Sequence, residues 1–160
     1  MKQGLIKDWQ TQAGLRAAIW FGALGHYCGY VGVSEGHPLH GVGYRTPCAA
    51  LTSISETTPM GKRGVFTAIA ICGDDARRSS PEAVFNVHGG LTYASGSANY
   101  PVASDNLWWF GYDCGHCHDA PHPDFARAYQ SEGEFRDEAY CIAECESLAR
   151  QIFAATQITA

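Results

Sequence analysis

Apolar residues recur in short blocks cut by glycine or proline, and each block is too short for a helix of ordinary length. Leu15–Ala23 and His26–Val33 flank Leu24-Gly25, a pattern that predicts a β-hairpin closed by a short glycine turn. Val65–Cys72 reads as a buried strand, with a short helix as the alternative. Ala83–His88 reads as another strand, Leu91–Ala94 as its partner, and Leu107–Tyr112 as a third buried run. Ser34–Arg45, Asp74–Pro81 and Ser95–Asp105 read as loops, and polar Thr52–Lys62 as the most mobile of them. Only the end of the chain carries a helical period. Between about Phe135 and Ala155, Cys141, Cys145, Leu148 and Ile152 fall on one face, while Glu146 and Arg150 form an i,i+4 pair on another. Strands followed by one long helix predict a single α+β domain over residues 1–160. An antiparallel sheet would be covered by the C-terminal helix, with Pro47–Lys62 a mobile loop.

Composition narrows the function classes. Apolar residues make up 46% of the chain, enough for a core without staples. With 11 basic and 16 acidic residues, the net charge of −5 argues against direct DNA or RNA binding, which needs a basic face. Leu15–Val33 is interrupted by Arg16, His26 and glycines, so no membrane span is expected. No signal-peptide core precedes it, and a cytoplasmic location is expected. Seven cysteines, an odd number in such a chain, favour free thiols or metal ligands over a disulfide framework.

The densest chemistry lies in Asp113-Cys114-Gly115-His116-Cys117-His118-Asp119, directly after the Leu107–Tyr112 run. Cys114-Gly115-His116-Cys117 matches the dithiol motif of protein disulfide isomerases. Pro121 and Pro123, however, break the helix whose N-terminus would stabilise a thiolate, so a thiol redox protein is the minor reading. Cys114, Cys117, His118 and His122 could hold structural zinc, but in a cramped arrangement, with Cys141 and Cys145 as a further pair. Asp113, His116 and Asp119, joined by His88 from a strand end, better suit a catalytic divalent ion, zinc or manganese, with Glu35 or His37 handling protons. The bland alternative makes His88 a structural histidine and gives Asp113 and Asp119 turn-capping roles. Aromatic residues near the run, such as Tyr27, Tyr30, Tyr93 and Trp108-Trp109, either fill the core or stack a base or sugar. P-loop, dinucleotide, HExxH and GxSxG motifs are absent.

Three segments together carry a resemblance. They are Cys28–Val33 running on to Glu35-Gly36-His37-Pro38-Leu39, then Val87–Tyr93, then Trp108–Cys114 with His116 and Asp119. Over roughly residues 12 to 155 the chain resembles a family of small, uncharacterised proteins carried mainly by bacteriophages and prophages. The family pattern reads Asp-Cys-x-His-x-x-Asp, which makes the second cysteine of the isomerase-like motif incidental. Pro47–Lys62 departs from that pattern. The resemblance implies a shared polar cluster of His37, His88, Asp113, His116 and Asp119. It also implies interference with a host defence by destroying or sequestering a nucleotide signal. The leading expectation is thus a metal-assisted hydrolase of a small phosphorylated or nucleotide-like molecule. The competing expectation is a non-catalytic module that sequesters such a ligand or inhibits a host protein.

Overall fold

A computed structural model describes residues 2–57, 68, 75–125 and 133–157. Five strands form one antiparallel sheet: β1 (Gly4–Gln10), β2 (Arg16–Phe21), β3 (Tyr27–Ser34), β4 (Tyr93–Ser95) and β5 (Leu107–Asp113), in the order β1-β2-β3-β5-β4. Among the described residues, three α-helices are bounded: α1 (Thr52–Thr57), α2 (Pro81–Val84) and α3 (Glu138–Gln157). The fold is the α+β arrangement that the sequence predicts, with the long helix packed on the sheet. Among the described residues, no helix is long and apolar enough to cross a membrane.

Strand alternation gives the sheet two different faces. Ala17, Ile19, Phe21, Tyr27, Val31, Val33, Phe110 and Tyr112 point inward. There they meet Cys141, Cys145, Leu148, Ala149 and Ile152 of α3 in one buried cluster. Ala18, Tyr30 and Trp109 form a smaller cluster on the other face, under Tyr100 and Val102 of the β4–β5 loop. The Tyr112 ring lies over Gly29 of β3, which has no side chain, and its hydroxyl donates to the Cys141 carbonyl at 2.9 Å. Leu148 is fully buried between α3 and the sheet. Leu148→Ala is therefore expected to cost about 2–5 kcal/mol through lost burial and an unfilled cavity, measured by chemical denaturation. A near-neutral result would mean that α3 is not held by this face.

Several elements differ from the sequence reading. Gly4–Gln10 pairs with β2 as an edge strand, although Lys7, Asp8 and Gln10 give it a polar character that hides it from a hydrophobicity scan. Ala83–His88 is not a strand. Pro81 opens a helical turn, and Phe85 then bonds back to the Pro81 carbonyl. Phe85 and Val87 do alternate inward, but the partner of this extended stretch is α3. Gln151 accepts from the Asn86 N–H at 2.8 Å and donates to its carbonyl at 2.8 Å. Glu144 accepts from the His88 N–H at 2.8 Å. The predicted loop from Pro47 contains a 3₁₀ turn at Ala49–Leu51 and then α1; residues 58–62 lie outside the described residues. Asp74–Pro81, also read as a loop, holds a 3₁₀ turn at Asp75–Ser79. The Val65–Cys72 reading lies outside the described residues, Ala68 excepted. Glu146 turns to β1 rather than to Arg150, accepting from Trp9 Nε1 at 2.9 Å and from the Gln12 N–H at 3.0 Å.

Candidate functional site

The end of β5 releases the chain into the run from Asp113 to Asp119, and the segment before α3 folds back against it. Glu134 N–H donates to the His118 carbonyl at 2.9 Å, and Ala120 N–H to the Glu134 carbonyl at 3.0 Å. This pins Asp119 beside Arg136 at the foot of α3. From the other side, the Val87–Gly90 turn brings His88 in, its backbone held by Glu144 as described above.

Asp119 is the centre of the arrangement. Its side chain is 2% exposed. Oδ2 accepts from His88 Nε2 at 2.7 Å and from the His116 N–H at 3.0 Å, while Oδ1 accepts from Arg136 Nε at 3.2 Å. Burial by itself would raise this carboxyl group's pKa. The bonds from His88, the His116 amide and Arg136 outweigh it and hold the group below its ordinary value. The far nitrogen of His88, Nδ1, lies 3.0 Å from the Tyr140 hydroxyl. A neutral His88 protonated at Nε2 satisfies both contacts, giving to Asp119 and accepting from Tyr140.

The His116 ring stands edge-on to His88, with centroids 5.7 Å apart. Its Nδ1 is 3.9 Å from Asp119 Oδ2 and 3.8 Å from Asp113 Oδ1. Gly89 makes room for it: a Cβ built there would fall inside the His116 imidazole. His88, His116 and Asp119 each offer a ligand atom, and these atoms lie within 4.8 Å of one another. Two imidazoles and a carboxylate are a donor set for a borderline divalent ion. Beside His88 and Tyr140 opens a polar groove of about 490 Å³, walled by Glu144, Ser147 and Gln151 of α3 and by Asn86.

No family model, no curated protein and no solved structure matches this chain. The chemistry of the site rests on its own geometry.

That geometry divides the residues singled out in the sequence. His88, His116 and Asp119 come together. Asp113 stands at the rim, because strand alternation sends it to the sheet face opposite α3, in register with Cys28. There it accepts from the Gly115 N–H at 3.0 Å and from Thr92 Oγ1 at 3.2 Å, the turn-capping role. Glu35 and His37 are far away. They follow Ser34, which pairs with Leu107 at the opposite end of β5, roughly 20 Å along the strand from Asp113. His37 Nδ1 instead accepts from the Leu39 N–H at 3.1 Å, closing its own turn, so neither residue handles protons here.

The cysteine motif also separates. Cys114 is buried with its Sγ 3.6 Å from Cys141 Sγ, whereas Cys117 is exposed, and no helix starts at the motif. Hydrogen bonding to Cys141 and burial push the Cys114 thiol far above its ordinary pKa, the opposite of an activated thiolate. His122 packs among Phe21, Phe125 and Phe135 and is not grouped with the cysteines, so the cramped zinc set is not assembled. Tyr140, Arg136, Glu144 and Gly89 are site residues that sequence reading missed. The Gly89-Gly90 pair next to His88 was the one available signal.

Proposed function

We propose that this protein is a metal-assisted hydrolase of small phosphorylated, nucleotide-like molecules, with His88, His116 and Asp119 holding a zinc or manganese ion. The observation that carries this reading is the convergence of those three side chains from two separate segments. Charge supports it: Asp113, Glu134 and Glu144 also surround the cluster, against the guanidinium of Arg136, and such an excess of carboxylates favours a divalent cation. A bound ion would supply an acidified water as nucleophile. For His88 the residue-level consequence is clear. Nε2 must give up its proton to become a ligand, and Nδ1–H then donates to the Tyr140 hydroxyl, the kind of outer bond that fixes a ligating imidazole. Metal affinity should accordingly weaken as pH falls and protons compete for the histidines. Destruction of a nucleotide signal in host defence would be the biological setting, a reading that rests on the sequence resemblance.

A second reading is favoured by one feature: both Asp119 oxygens already accept hydrogen bonds, so the network is self-consistent without an ion. In that reading the groove sequesters a nucleotide and catalyses nothing. Elemental analysis of tag-free protein after incubation with zinc or manganese separates the two. We expect about one ion per chain, lost in His116→Ala, together with ion-dependent turnover in a screen of cyclic and linear nucleotides. Nucleotide binding without metal uptake would replace the hydrolase by the sequestering module. Neither metal nor nucleotide binding would reject both.

A further inference from the structure

We infer that Arg136 is the residue that grips the phosphate of the substrate, across the Asp119 carboxylate from the metal position. This inference rests on the metal-site reading above and adds to it the group that recognises the ligand.

The two oxygens of Asp119 divide their work. Oδ2 faces the histidines, and Oδ1 faces Arg136. One carboxylate would thus link the guanidinium to an ion held at Oδ2, an arrangement suited to a phosphate group that bridges the two. The side chain is already oriented. Its guanidinium lies over the Tyr140 ring at 4.9 Å from the centroid, and Nη1 is 2.7 Å from Glu134 Oε2. Arginine carries five N–H donors in a rigid fork. The described contacts engage Nε and Nη1, which leaves the Nη2 donors for a ligand on a side chain that is 23% exposed. Preorganisation of this kind lowers the entropic cost of gripping an anion.

The acidic surroundings decide the order of events. Asp119 and Glu134 contact the single guanidinium, Asp113 lies by His116 and Glu144 holds the His88 amide, so a free phosphate dianion meets net repulsion. A bound divalent ion reverses that sign. Phosphate and metal should therefore bind with positive coupling, each raising the affinity of the other. The groove beside Tyr140, walled by Asn86, Ser147 and Gln151, would receive the rest of the molecule. Its polar walls fit a phosphate ester of a hydroxylated group such as a sugar better than one of an acyl chain.

The test uses full-length protein loaded with zinc and desalted, titrated calorimetrically with inorganic phosphate. Zinc affinity is measured separately on wild type, Arg136→Gln and Arg136→Lys. We expect Arg136→Gln, kept saturated with zinc, to weaken phosphate binding about tenfold or more whatever the change in its zinc affinity, with Arg136→Lys in between because it keeps charge but not the fork. Unchanged phosphate affinity in Arg136→Gln would overturn the inference and leave the metal site standing. A phosphate loss that vanishes once the variant is saturated with zinc would also overturn it, since Arg136 would then merely position Asp119. If wild type takes up no zinc, the metal reading falls. Phosphate titrated into that protein then decides the inference alone: binding that needs Arg136 keeps it, and no binding ends it.

Discussion

Gly89→Ala is expected to abolish metal uptake while leaving the fold in place. Gly89 adopts φ +65°, and its missing side chain is the space that the His116 ring occupies. A methyl group there must move either the imidazole or the Val87–Gly90 turn that carries His88. Both movements pull the proposed ligands apart, and displacements on the order of 1 Å suffice to spoil a metal site. The cost to stability should be small, about 1–2 kcal/mol, because the substitution adds left-handed strain at one surface turn. Gly90→Ala is the matching control. Gly90 also has positive φ, at +89°, but a Cβ there meets nothing within 4 Å. It should show the same loss of stability with metal uptake retained. Thermal melts and elemental analysis of the two variants give the comparison. Normal uptake by Gly89→Ala would remove His116 from the ligand set.

Asp119→Ala should be the most destabilising change at the site, by about 3–5 kcal/mol, because it leaves Arg136 and His88 partly buried without their carboxylate. Its signature should extend to the pH dependence of wild type. The Asp119 carboxyl has a folded pKa below its unfolded value. Its contribution is therefore fully present above the ordinary carboxylate range, near 4, and disappears as pH falls through the lower folded value. Wild type should lose stability on acidification through that window, and Asp119→Ala should lose measurably less over the same interval. Parallel denaturation curves at successive pH values report the difference. Coincident pH profiles would mean that Asp119 is not the stabilising carboxylate the geometry describes.

The sheet's centre was legible because β2, β3 and β5 are blocks of apolar and β-branched or aromatic residues bounded by turn formers. Such blocks pay for their burial wherever the chain places them. The long helix was legible for a related reason. Cys141, Cys145, Leu148 and Ile152 share one face, and all four are buried. β1 was not, since an edge strand pairs through backbone groups and tolerates Lys7 and Asp8, the latter bonded to Arg16 at 2.7 Å. Phe85–His88 shows the converse failure. Period-two alternation reports an extended backbone with one buried side. It cannot say whether a neighbouring strand or the side chains of a helix satisfy the amides.

The same division runs through the site. Local sequence determined that histidines and carboxylates would crowd the exit of β5, and that prolines after Cys117 would deny the dithiol its helix. Only the tertiary structure decided which of those groups meet. Strand parity sent Asp113 to the other face. The antiparallel register of β3 on β5 carried Glu35 and His37 to the far end of the sheet. The return of the chain at Glu134 placed Arg136 on Asp119, and packing of α3 against Phe85–His88 placed Tyr140 and Glu144 on His88. Residue type is a property of the chain at a point. Proximity between segments far apart in sequence is set by how the whole core closes, and no local pattern encodes it.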